Sequence, residues 1–130
     1  MAEVNILEDR KYTEEHEWVK VDGELAVVGI TDYASTQLGD ITYVEVPEVG
    51  AELEQMGELG VIESVKAAAD FFSPLTGVVA EVNAELEDHP ELLNQDCYGA
   101  GWMVKLKGFD QAGLDKLMDA AAYRTFCEGL

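Results

Sequence analysis

Glycine, proline and Asp-Gly interrupt this chain every several residues from Trp18 to Leu106, and the pieces between are rich in valine and isoleucine. Pieces that short do not sustain independent helices, which need ~12–15 residues to become even marginally stable. β-branched residues suit a pleated surface instead. The pattern therefore predicts a mainly β domain built from many short strands. At 130 residues the chain suits one domain with a core of its own.

Trp18–Ile30 reads as two strands around Asp22-Gly23, a strong hairpin signal because both residue types tolerate positive φ. Thr31 is placed to cap a short helix over residues 32–38, and Gly39 to end it. Residues 40–46 form a strand with Ile41, Tyr43 and either Val44 or Val46 inward, stopped by Pro47. Further strands fall at Gly60–Val65, Val78–Val82 and Gly101–Leu106. A helical turn is expected around His89–Asn94, with Pro90 early in it. Beyond Asp110 the spacing becomes helical, with Leu114, Leu117, Met118 and Ala121 on one face. Residues 1–130 thus make one domain, with an N-terminal extension over about 1–15 and a C-terminal helix over about 110–128.

Acidic residues number 27 against 8 basic ones, a formal charge of −19. Such a surface repels phosphate backbones and anionic membranes, so neither nucleic acid nor membrane is an expected partner. Proteins with basic patches are expected instead, in salt-sensitive encounters. The N-terminus, Met1-Ala2-Glu3-Val4-Asn5-Ile6, has no cationic leader. An unprocessed chain in the bacterial cytoplasm is the expectation. Cys97 and Cys127 form no Cys-x-x-Cys motif, and His16 and His89 have no second ligand at metal-binding spacing.

Lys66 has an unusual setting. Val65 precedes it, Ala67-Ala68-Ala69 follow, and no other basic residue is close. Its strand-like flanks place it near a hairpin tip, where small neighbours leave room for another protein. A catalytic lysine needs burial or a cationic neighbour, and this segment offers neither. The remaining readings are a solubilising surface charge and acylation, which turns the ammonium into an amide.

The stretch Gly60-Val61-Ile62-Glu63-Ser64-Val65-Lys66-Ala67-Ala68-Ala69-Asp70, followed by Ser73-Pro74-Leu75-Thr76-Gly77, resembles the lipoyl-attachment segment of the glycine cleavage system H proteins. His16-Glu17-Trp18-Val19, Gly29-Ile30-Thr31-Asp32-Tyr33-Ala34, Leu38-Gly39-Asp40-Ile41, Val44-Glu45-Val46-Pro47-Glu48-Val49-Gly50 and Gly101-Trp102-Met103-Val104-Lys105 resemble further motifs of that family, in the family's order. Together they cover roughly residues 10–128.

The resemblance implies a lipoyl-domain-like barrel-sandwich hybrid of two small sheets with a C-terminal helix outside. In it Trp18, Tyr43, Val61, Val78 and Trp102 are expected in the core. It implies a non-catalytic, monomeric carrier with lipoate joined as an amide to Lys66. The partners implied are a PLP-dependent glycine decarboxylase, a folate-dependent aminomethyltransferase, a dihydrolipoamide dehydrogenase and a lipoyl-attaching enzyme. Glu63 and Gly77, three residues before and eleven after Lys66, are candidates for recognition by the attaching enzyme. Glu17 and Asp70 are candidates for the cleft that shelters the loaded arm. Five other readings stand beside this one, among them the lipoyl domain of a 2-oxoacid dehydrogenase, which is usually joined to Ala/Pro-rich linkers, and an independent enzyme, for which no Ser/His/Asp or Cys/His constellation is assembled. A biotin carrier typically reads Met-Lys-Met, against Val65-Lys66-Ala67 here. An H-like protein could serve lipoate relay, and the domain could be an unmodified β-rich binding module.

Overall fold

The computed structural model describes residues 5–130. The first four residues, part of the segment read as an unprocessed N-terminus, lie outside it. Nine strands form two antiparallel sheets. The larger, sheet A, runs in the order β1 (Lys11–Tyr12), β2 (Glu17–Asp22), β3 (Leu25–Ile30), β9 (Val104–Lys107), β8 (Gly77–Val82), β5 (Glu52–Leu53). Sheet B has β4 (Ile41–Glu45), β6 (Glu58–Ser64) and β7 (Ala68–Phe72), with β6 in the middle. Five short helices complete the described residues: α1 (Asp32–Leu38), α2 (Glu85–Asp88), α3 (Leu92–Gln95), α4 (Gln111–Asp115) and α5 (Ala120–Glu128).

The core lies between the sheets. Val19, Val28, Ile30, Val79, Val104 and Leu106 come from sheet A, and Ile41, Val44, Ile62 and Phe71 from sheet B. Each fully buried aliphatic side chain contributes about 1.5–3 kcal/mol relative to exposure. A second cluster, Ile6, Tyr12, Trp18, Ala120 and Tyr123, joins the N-terminal segment to α5. There Tyr12 stacks on Tyr123 with centroids 4.6 Å apart.

The β2–β3 hairpin forms where expected, but the register pairs Asp22 with Leu25. The two loop residues are therefore Gly23 and Glu24, with Gly23 at φ +64. That matches a hairpin with glycine in the first central position rather than an Asp-Gly turn. Helix α1 follows its expected limits: Thr31 Oγ1 accepts from the Ala34 amide, and Gly39 ends it at φ +74.

Other expectations are corrected. Tyr43 does not face the core; it is 46% exposed. The register of β4 against β6 slips between Ile41 and Tyr43, so Thr42 is an extra residue and the alternation reverses after it. Val44 points inward instead. Val61, Val78 and Trp102 are half-buried, and the fully buried positions beside the first two are Ile62 and Val79. The N-terminal extension contributes a strand, because β1 pairs with β2. The expected C-terminal helix is two helices: Met118 bonds with Tyr12 across the break, and Asp119 caps α5 by accepting from the Ala122 amide. Ala121 is consequently exposed, while Ala120 and Tyr123 are buried.

Gly60 lets β4 and β6 approach closely. A Cβ there would run into the carbonyl oxygen of Glu45 on the neighbouring strand. Gly60→Ala should cost about 3 kcal/mol of stability, read from the midpoint of urea unfolding. An unchanged midpoint would mean that sheet B has slack at this crossing.

Candidate functional site

Strands β6 and β7 form the hairpin that carries Lys66. The Ser64 amide donates to the Ala67 carbonyl at 2.8 Å, closing the turn over Val65 and Lys66. Ser64 Oγ accepts from the Lys66 and Ala67 amides, both at 3.2 Å. This is the local side-chain-to-backbone bonding that makes serine a turn residue. The Val65 amide donates to the Asp40 carbonyl at 3.1 Å, tying the tip to the start of β4.

That support is braced in turn by Asn94. Its Oδ1 accepts from the Ile41 amide at 2.9 Å, and its Nδ2 donates to the Gly39 carbonyl at 2.7 Å. Gly39 forms a bed for the lysine stem: a Cβ there would lie 3.0 Å from Lys66 Cε. The backbone of the tip is thus fixed, while the Lys66 side chain is exposed and makes no ion pair among the described residues.

The other expected site residues fall in different places. Glu63 is exposed on β6, paired with Tyr43 on one side and Ala68 on the other. Asp70 is exposed on β7 opposite Val61. Gly77 is not in a turn beside Glu63. It opens β8 in sheet A, pairs with Leu53, and its surroundings are Lys107 and Leu106. A Cβ there would sit 2.9 Å from the Lys107 carbonyl oxygen, so close strand packing is what requires glycine.

Glu17 is fully buried rather than offering its carboxylate at the surface. Thr13 Oγ1 donates to it at 2.6 Å, and the Phe72 amide of the edge strand β7 donates at 3.3 Å. Burial pushes its pKa up to about 7, against the smaller lowering effect of those two bonds. Beside it His16 takes φ +71, which side chains rarely adopt. Its ring bonds Tyr123 Oη through Nδ1 at 2.8 Å and lies 4.4 Å from the Tyr33 ring. Thr13, Ser64, Gly39 and Asn94 were not among the residues singled out for the site. Ser64 was legible as a turn residue, whereas Asn94 reaches its partners across 53 and 55 positions.

Burial also pushes the Cys97 thiol up to about 12 and raises that of Cys127, which keeps both poor nucleophiles. A cavity of about 290 Å³ opens on sheet A between Arg10, Trp18, Tyr98, Trp102 and Lys105, and none of its lining residues belongs to the lysine hairpin. No helix of the described residues is long and apolar enough to cross a membrane.

Two facing antiparallel sheets with one exposed lysine on a pinned, projecting tip have the form of a carrier domain rather than of a catalytic cluster. The family model for the glycine cleavage H-protein matches residues 10–129. The glycine cleavage system H protein of Symbiobacterium thermophilum is 53% identical over 122 residues, covering 94% of this chain and 95% of its own. That of Marinobacter nauticus is 57% identical over 116 residues, covering 88% and 89%. The crystal structure of a glycine cleavage system H protein from Mycobacterium marinum superposes with a TM-score of 0.85 at 34% identity, covering 96% of this chain and all of that one. The chain belongs to the glycine cleavage H-protein family. It is a lipoyl carrier of the glycine cleavage system and a non-catalytic subunit.

Glu17 makes the stability depend on pH in a definite direction. Its folded pKa of about 7 lies above its ordinary 4.5. The stability it contributes is full below pH 4.5, declines as the unfolded chain ionises, and is gone above pH 7. By linkage the loss is about 3 kcal/mol. Measured from pH 4 to 8, wild type should lose this amount relative to Glu17→Gln. Parallel curves would show that the buried carboxylate titrates as it does in the unfolded chain.

Proposed function

We propose that Lys66 Nζ is the point of lipoate attachment, and that the arm built there visits three enzymes in turn. These are a PLP-dependent glycine decarboxylase, a folate-dependent aminomethyltransferase and a dihydrolipoamide dehydrogenase. The observation that carries the reading is the contrast at the tip: backbone pinned by Ser64 and Asp40, side chain free. The bound group supplies a disulfide–dithiol couple that holds the transferred unit and the electron pair. The fit is chemical as well as steric, since an exposed primary amine is the nucleophile that amide formation requires.

Attachment is an acyl transfer without redox change. The unprotonated Nζ attacks the activated acyl carbon supplied by the attaching enzyme. A C–N bond forms, the activating group leaves with its bond pair, and the nitrogen loses a proton. The formal charge of the chain falls from −19 to −20 as one positive charge is removed. The pinned tip then confines the arm to a small volume around the hairpin, which raises its effective concentration at a docked active site.

Glu63 orients Lys66 for the attaching enzyme, as an exposed carboxylate three residues away on the same hairpin. Asp70 forms the exposed rim of the cleft for the loaded arm, and Glu17 its buried floor, linked by the Phe72 amide two residues further along β7. A floor closed by Thr13 and Glu17 keeps water from the arm's end. The chain acts as a single carrier domain and a monomer, kept apart from its copies by its charge. Its bacterial relatives and two unpaired thiols favour a reducing bacterial cytoplasm.

Lys66→Arg keeps the charge but cannot form the amide. In a system reconstituted with all three enzymes it should abolish glycine turnover, and retained turnover would refute the attachment site. Glu17→Ala should hasten hydrolytic loss of the aminomethyl group from the loaded protein, timed by release of formaldehyde. An unchanged rate removes Glu17 from the cleft.

A further inference from the structure

The extra residue at Thr42 leaves an aromatic ring on an open sheet face. Tyr43 is 46% exposed, stacks on no other aromatic among the described residues, and makes no side-chain hydrogen bond among them. Its strand register fixes what lies beside it. Tyr43 is opposite Glu63, which is opposite Ala68, and the neighbouring row is Glu45, Val61 and Asp70. Side chains on these rows alternate with Val44, Ile62 and Phe71, which fill the core. One face of sheet B is thus a strip of Tyr43, Val61 and Ala68 between Glu45, Glu63 and Asp70. None of these three carboxylates makes an ion pair among the described residues. The strip runs up to the tip, where Val65 is 69% exposed.

We infer that this face of sheet B, anchored by Tyr43, is the surface on which the lipoyl-attaching enzyme docks, through an apolar depression rimmed by basic side chains. The inference rests on Lys66 as the attachment site. An enzyme that acylates Nζ must bring its own catalytic centre to about 3–3.5 Å from it. No arm yet exists to bridge a gap, so the enzyme has to lie against the hairpin itself. Tyr43 is in register with Glu63, three residues from Lys66, or ~10 Å at the rise of a strand. A stable interface covers about 800 Å² on each partner, equivalent to a disc of roughly 16 Å radius. A contact of that size around Lys66 takes in Tyr43.

The opposite face of the hairpin is closed by the core, and the Val65 amide is held by Asp40. The open face is therefore the side free for contact. Its chemistry selects the partner: an aromatic ring is the residue type most often found as an interface anchor, and the flanking carboxylates call for arginine or lysine opposite.

The test uses the unmodified full-length chain with a lipoate ligase, lipoate and ATP, followed by the mass increment with time. Tyr43→Ala should raise KM for the protein about tenfold or more while kcat stays within about twofold, because Lys66 and the chemistry are untouched. Glu45→Lys should raise KM and flatten its dependence on salt. Val21→Ala and Glu24→Lys, exposed changes on the β2–β3 hairpin of sheet A, serve as controls and should leave KM unaltered. The inference fails if Tyr43→Ala matches wild type, or if the sheet A variants raise KM as much. Lys66→Arg, run alongside, distinguishes the two claims. Modification of that variant would refute the attachment site, whereas unmodified Lys66→Arg with unaffected Tyr43→Ala refutes the docking face alone.

Discussion

The bond from the Val65 amide to the Asp40 carbonyl ties a hairpin tip to the body of the domain, and much of the site follows from it. A free hairpin of this length would sway, because two strands alone are marginally stable in water. Here Ser64 bridges the turn from inside, Asp40 holds it from outside, and Asn94 braces the chain on either side of Asp40. The tip becomes a fixed post, and motion is left to the lysine side chain. A carrier needs that division: a fixed origin gives the arm a defined reach, and a free stem lets it turn from one enzyme to the next.

The two sheets meet away from this post through a different device. Strand β7 is an edge of sheet B, and an edge amide left without a partner is costly when buried. Glu17 on β2 supplies the acceptor for the Phe72 amide. Burial of that carboxylate holds its pKa near neutrality, so the same contact that joins the sheets carries a titratable group beneath the hairpin. His16, at a positive φ, belongs to the same turn and is held there by Tyr123 and Tyr33. The C-terminal helix therefore supports the turn that supports Glu17. Removal of α5 would act on Glu17 through Tyr123 and His16, with no contact to the lysine.

The mainly β class, the β2–β3 hairpin, the Thr31 cap and the placing of Lys66 near a tip were legible because each depends on residues within a few positions of one another. The features missed depend on distant partners or on parity. A single extra residue at Thr42 turns Tyr43 outward, and nothing in the alternation of Ile41, Tyr43 and Val44 announces it. Strand β5 has two residues and exists because β8 pairs with it. The C-terminal helix breaks where Met118 meets Tyr12, 106 positions earlier. Gly77 is a strand residue squeezed against Lys107, 30 positions further along the chain. Family membership came from ordered motifs rather than from any single residue, since Lys66 on its own has the chemistry of an ordinary surface lysine.

Trypsin digestion of protein purified from a cell able to make lipoate reads the state of Lys66 without any enzyme assay. Trypsin cleaves after basic residues, and between Lys20 and Lys105 the chain contains a single one, Lys66. An amide there removes the charge that trypsin requires. Attachment at Lys66 would leave an uncut peptide spanning residues 21–105, heavier than its sequence by one lipoyl group. Separate, unmodified peptides 21–66 and 67–105 from protein that is active in glycine cleavage would contradict it.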